Sequence, residues 1–124
     1  MHWIDLAADI AASRHAGHVV VTASMDRLEL LHPVQVGEVV RLEARLNWVG
    51  RTSMEVEVRV DTENMETGEV RKTSTAFLTF VALDRQGVPI PIPPLILMSL
   101  DEEERFHVAE GRRAERLRGK QGRV

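Results

Sequence analysis

The first sixteen residues, MHWIDLAADIAASRHA, restrict most what this chain can become, because they read as an alanine-rich helix that is apolar around most of its circumference. Leu6, Ile10 and the pair Ser13 and Arg14 fall at helical spacing, and Trp3, Ile4, Ala7, Ala8, Ala11 and Ala12 add small or apolar groups on the other faces. Gly17 closes the helix. A helix of this kind has to be covered by other elements, and long strand-like runs follow that can curl around it. Asp5 then lies at the start of a buried helix, where a carboxylate either complements the helix dipole or has chemistry to perform.

A chain of 124 residues is one domain with room for a core. Its net charge of −3 argues against a nucleic-acid binder that works by neutralising phosphates. The absence of cysteine excludes disulfides, thiolate nucleophiles and cysteine-ligated zinc. No apolar run reaches the length of a membrane span, and no basic and apolar leader opens the chain, so no membrane partner and a cytoplasmic location are expected.

Four strands are predicted after the helix. Val19 to Leu31 is rich in β-branched and apolar residues and stops at His32 and Pro33. Between Gly37 and Trp48, residues Val40, Leu42, Ala44, Leu46 and Trp48 face one way and Arg41, Glu43, Arg45 and Asn47 the other. A tight turn at Val49, Gly50 and Arg51 leads to a third run with Met54, Val56, Val58 and Val60 inward and Glu55, Glu57, Arg59 and Asp61 outward. The fourth strand, Val70 to Asp84, carries apolar residues on both parities, as a well-covered strand does. Pro89 to Pro94 (PIPIPP) should run extended. A last helix starts at a capping box, Ser99 with Glu102, and its charge run reads as a solvated face.

One helix followed by four long antiparallel strands resembles the hotdog fold, an α+β architecture in which a sheet wraps an N-terminal helix. The stretches Trp3-Ile4-Asp5, Ala11 to His15, Val21 to Ser24, His32-Pro33-Val34 with Val36-Gly37-Glu38, Gly50 to Met54, Thr75 to Ala82 and Pro91 to Leu95 resemble, in order and spacing, the cytosolic acyl-CoA hydrolase type of acyl-coenzyme A thioesterase. The resemblance places a hotdog domain at residues 1–95 and a C-terminal helix and tail at 96–124. It implies hydrolysis of acyl-CoA to free fatty acid and CoA, with CoA as part of the substrate and no separate cofactor.

The resemblance also implies site residues. Its aspartate position falls on Asp5, acting as general base toward water or, alternatively, as a nucleophile through a mixed anhydride. That role asks for a partly buried carboxylate near backbone N–H groups that can hold an oxyanion. CoA would be gripped by Glu29, Leu30 and Leu31 at the end of one strand and by Arg51, Thr52, Ser53 and Met54 at the turn into another, with Arg51 meeting a phosphate. The bland reading of Gly50 to Ser53 is a plain hairpin turn. Arg71 and Lys72 either meet a phosphate as well or are surface charges; the second reading is preferred.

Asp9, one turn after Asp5, either tunes it or faces solvent or a subunit boundary; the second reading is preferred. Asp26 reads as structural. His2, His15, His18, His32 and His107 show no spacing for a metal site. Expected partners are the acyl-CoA substrate and further copies of the chain: a dimer through the strand after the helix, then a trimer of dimers. The family pattern also has a strand, a His-x-Asn loop and a Gly-Gly pair ahead of the helix that this sequence does not contain, so a non-catalytic acyl-CoA or lipid-binding module is the alternative. A hotdog dehydratase is a weaker one, because His15 stands at the wrong end of the helix.

Overall fold

The computed structural model describes residues 2–27 and 34–121. It contains α1 (His2–Ala16), β1 (Val19–Arg27), β2 (Glu38–Val49), β3 (Ser53–Asn64), β4 (Val70–Leu83) and α2 (Leu100–Gln121). The expected continuation of the first strand to Leu31 and its stop at His32 and Pro33 lie outside the described residues.

The strands form one antiparallel sheet in the order β1-β4-β3-β2. The inner face carries Met54, Val56, Val58 and Val60 of β3 and Ala76, Leu78, Phe80 and Ala82 of β4, which join α1 in a single core. Cover on both faces explains the fourth strand's double parity: α1 packs on its inner residues, and its outward Phe77 is buried under Arg112 of α2.

α1 meets this core with Ile4, Ala8, Ala12 and Ala16, one residue per turn. Small side chains along that row let the helix backbone lie close to the sheet. The opposite side of the helix is uncovered, with Trp3 66 %, Leu6 42 % and Ile10 46 % exposed. The expected all-round burial is thus corrected: a four-stranded sheet reaches only one side of a helix, and the second apolar stripe remains on the surface of the chain. Gly17 ends α1 in the left-handed region (φ 70°), its N–H donating to Ser13 O at 2.9 Å.

The second correction concerns β2. Leu42, Ala44 and Leu46 pair opposite Val60, Val58 and Val56, but the register slips between Leu46 and Trp48. Trp48 then stands opposite Glu55 and Val49 opposite Met54. One inserted residue, Asn47, turns Trp48 to the outer face, where its ring meets Phe106 of α2 at 6.5 Å between centroids.

α2 begins with one half of its capping box, Glu102 N–H donating to Ser99 Oγ at 3.1 Å, while the Glu102 carboxylate reaches one residue further back and accepts from Met98 N–H at 2.6 Å instead of from Ser99. The helix lies over the outer face of the sheet, so its charge run is not simply solvated. Arg112 donates from Nε and Nη2 to the two oxygens of Glu55, at 2.8 and 2.6 Å, and stacks 3.9 Å from the Phe77 ring centroid. The segment between β4 and α2 returns along the sheet in extended form. Ile90 N–H bonds Ala82 O at 3.0 Å and Ile92 N–H bonds Arg51 O at 2.8 Å, the isoleucines supplying the donors that the intervening prolines lack.

Candidate functional site

Asp5 occupies the first turn of α1, where unpaired backbone N–H groups and the positive end of the helix dipole favour negative charge. Its carboxylate is exposed, so the partial burial expected of it is not supplied by this chain. Asp9 is exposed as well and accepts a hydrogen bond from Ser13 Oγ at 3.3 Å, in keeping with the solvent-facing reading. The apolar stripe of Trp3, Leu6 and Ile10 runs along the helix beside these acids.

The other end of α1 is tied down by His15, whose Nε2 lies 2.7 Å from Pro93 O. A carbonyl oxygen only accepts, so Nε2 carries the proton and His15 acts here as an anchor. Pro93 follows Ile92, which is bonded to Arg51, so the turn at Arg51 belongs to the C-terminal end of α1. Asp5 is ten residues up the helix from His15, about 15 Å at 1.5 Å per residue. Within one chain the structure therefore does not bring Asp5 and the Arg51 turn together in a single pocket.

The turn residues have separate fates. Arg51 is exposed, and Thr52 is half-buried with its carbonyl accepting from Ala82 N–H at 3.2 Å. Met54 is fully buried in the core against α1, which removes its side chain from any ligand surface and corrects that expectation. The reason is parity: Met54 is the first inward residue of β3. Ser53 faces outward and lines a groove of about 190 Å³ with Ser24, Thr79, Arg113 and Arg116. Glu29, Leu30 and Leu31 lie outside the described residues.

Two features escaped the sequence reading. The first is the contribution of Arg113 and Arg116 to the Ser53 groove, which follows from α2 lying on the sheet. The second is a register slip in β1 between Thr22 and Ser24. It leaves Thr22 opposite the inward Phe80, on the α1 side of the sheet with its side chain exposed, while Ser24 pairs with Thr79 on the outer side. Alternation alone cannot announce such a slip. Among the described residues no group of histidines and acids is arranged to hold a metal ion, and no helix is long and apolar enough to cross a membrane.

Comparison with known proteins agrees with this geometry. The sequence profile of the Thioesterase superfamily matches residues 1–69. The uncharacterized acyl-CoA thioester hydrolase YkhA of Bacillus subtilis is 44% identical over 114 residues, covering 92% of this chain and 66% of that protein. The chain thus spans just under two thirds of the length of that relative. The crystal structure of an acyl-CoA hydrolase from Bacillus cereus superimposes with a TM-score of 0.90 at 41% identity, over 98% of this chain and 74% of the other. An apo-hexameric acyl-CoA thioesterase superimposes with a TM-score of 0.89 at 36% identity, over 99% of this chain and 78% of the other. With the helix-on-sheet core and the ordered stretches from Trp3 to Leu95, these matches make the chain a member of the Thioesterase superfamily, built on the hotdog fold.

Proposed function

We propose that this chain hydrolyses acyl-CoA thioesters, with Asp5 as the group that activates the attack. Water adds to the thioester carbonyl as Asp5 takes its proton; the C–S bond then breaks, and the thiolate of CoA leaves with that proton, giving free acid and CoA. In the nucleophilic variant the carboxylate itself adds, CoA leaves, and water opens the mixed anhydride. Backbone N–H groups of the first turn of α1 are available to a developing oxyanion. The observation that carries the reading is a carboxylate at the first turn of a helix whose other side packs on the sheet, in a chain whose named relatives are acyl-CoA hydrolases. Those names favour turnover over the binding-only alternative.

The enclosure Asp5 lacks would come from a second copy. The exposed stripe of α1 and the free outer edge of β1, with Val19 and Val21 exposed, present one apolar border that a partner chain would cover. A dimer through β1, extended to a trimer of dimers, is the assembly proposed, in the cytoplasm and without a separate cofactor; a neighbour that is hexameric supports the total of six. Ser53 and the arginines of its groove, together with Arg51, would receive the phosphates of CoA.

The test is release of free thiol from a panel of acyl-CoAs of increasing chain length, by wild type and by Asp5→Asn. A loss of about 10²-fold or more in kcat, with the variant folded and assembled as wild type, is expected. Equal, slow release from both proteins would refute the assignment.

A further inference from the structure

α2 has two faces of opposite character. One lies on the sheet: Arg105, Ala109, Arg112 and Arg116 follow at steps of four, three and four residues, with Ala109 buried and the arginines half-buried. Leu100, Glu104, His107, Gly111 and Ala114 repeat such steps along the far side and are all exposed; Arg118 takes the next position of that row. A row at alternating steps of four and three is the seam along which two helices pair.

Two features of this row have no use within the chain. Leu100 is 83 % exposed, and Val108, next to the row, is 53 % exposed. Gly111 stands in the middle of a 22-residue helix, where glycine weakens helix formation more than any residue except proline. A Cβ added there would meet nothing within 4 Å, so no neighbour in the chain requires the glycine. A second helix crossing at Gly111 does require it, because the missing side chain lets two helix axes approach to about 8 Å, the short end of helix packing distances.

The charges select the occupant and its direction. In a parallel pair of these helices like would face like, Glu104 on Glu104 and Arg118 on Arg118. In an antiparallel pair crossing at Gly111, Glu104 stands opposite Arg118 of the partner subunit, His107 opposite the partner's Glu115 and Val108 opposite the partner's Ala114. Each of these contacts occurs twice about the two-fold axis. Of the acids beside the row, Asp101 is already paired with Arg105 and Glu110 with His107, and Glu103 stands at the edge.

We propose that the outer row of α2 is an interface between copies of this chain, formed by antiparallel pairing with α2 of a second copy about a two-fold axis at Gly111. The contact is separate from the free edge of β1, since α2 lies on the outer face of the sheet. Two self-complementary contacts used in turn can close a ring of six subunits, so the α2 row supplies the second surface that a trimer of dimers needs. It stands whether or not Asp5 is catalytic.

The test follows the mass of the whole chain in solution by sedimentation. Gly111→Glu puts a carboxylate at the crossing point while removing a helix-weakening residue, so it should lower the assembly from six subunits to two with no loss of helix in the far-UV spectrum. Glu104→Arg should lower the mass in the same way, and adding Arg118→Glu to that variant should restore it, which a helix that had merely lost its fold would not do. The chain has no cysteine, so Gly111→Cys should form a disulfide between subunits on mild oxidation. Glu104→Cys should not, because in the antiparallel pair residue 104 lies about 21 Å from its own copy. A mass unaltered by Gly111→Glu, or a double variant that stays at the mass of Glu104→Arg, overturns the proposal and leaves this face to solvent or to a different protein. Acyl-CoA hydrolysis enters none of these measurements, so their outcome is independent of the role given to Asp5.

Discussion

Arg112 of α2 closes a two-point ion pair on Glu55 of β3, whose side chain is 1 % exposed, and so fastens the C-terminal helix to the outer face of the sheet. Arg116 adds a longer approach of 3.9 Å, and Arg112 lies over the Phe77 ring. Such a pair stabilises little against a well-packed apolar substitute, yet its breakage leaves a buried charge uncompensated. Arg112→Met should cost about 3 kcal/mol in denaturant unfolding. The double variant Glu55→Met with Arg112→Met should recover most of that loss. A single variant as stable as wild type would show that α2 is held by Trp48, Phe106 and Ala109 instead.

Glu57 gives a pH dependence with a definite sign. Burial by itself pushes its carboxyl upward, but hydrogen bonds from Asn47 and Arg45 and the positive charges of Arg45 and Arg59 outweigh it and hold the group below the usual 4.5. A carboxylate depressed in the folded state contributes stability that is present above its unfolded value and lost as pH falls through the folded one. Wild type should therefore lose stability relative to Glu57→Gln as pH drops from about 5 to about 3, and the difference should be constant from pH 6 to about 8. Parallel unfolding curves across the acid range would contradict this account.

The sheet was readable in the sequence because its cause is local: Met54, Val56, Val58 and Val60 alternate with charges, and a period of two admits one burial pattern. The helix ends were readable for the same reason, at Gly17 and at Ser99 with Glu102. What stayed hidden depends on partners distant in the chain. Asn47 looks like one more polar residue in the alternation, and only the pairing with β3 shows it as the inserted residue that reverses Trp48. Arg112 looks solvated, because an arginine covering a buried aromatic is written like one in water. Of the expected site residues, the place of Asp5 in the first turn of the helix and the inward side of Met54 were legible in the sequence, whereas the meeting of Ser53 with Arg113 and Arg116 needed α2 to be placed on the sheet.

Gly50 is required by Trp48. A Cβ placed on Gly50 would stand 2.3 Å from Cη2 and 2.7 Å from Cζ2 of the indole, too close for any real contact. Gly50→Ala should displace the ring from Phe106 and Arg113 and destabilise the chain by about 1–3 kcal/mol. Trp48 fluorescence reports the move directly once the exposed Trp3 is replaced by Phe. In that background Gly50→Ala should shift the emission to the red and lower the unfolding midpoint. An unshifted spectrum would mean that the backbone, not the indole, yields.

The exposed stripe of α1 separates the stability of the single chain from that of the assembly. Leu6 and Ile10 face away from the core, so a charge at either position disturbs no contact with the sheet and should cost the fold of one chain less than about 0.5 kcal/mol. If a second copy covers the stripe, the same charge becomes a buried, unpaired group at the boundary, and the cost to association is several kcal/mol. Ile10→Asp should accordingly sediment as a smaller species while keeping the far-UV spectrum of wild type. Acyl-CoA hydrolysis should fall with the loss of assembly, because the cover over Asp5 goes with it. Sedimentation unchanged by Ile10→Asp and by Leu6→Asp would place the subunit boundary elsewhere and leave Asp5 open to bulk water, where a carboxylate has no advantage over the solvent in activating a nucleophile.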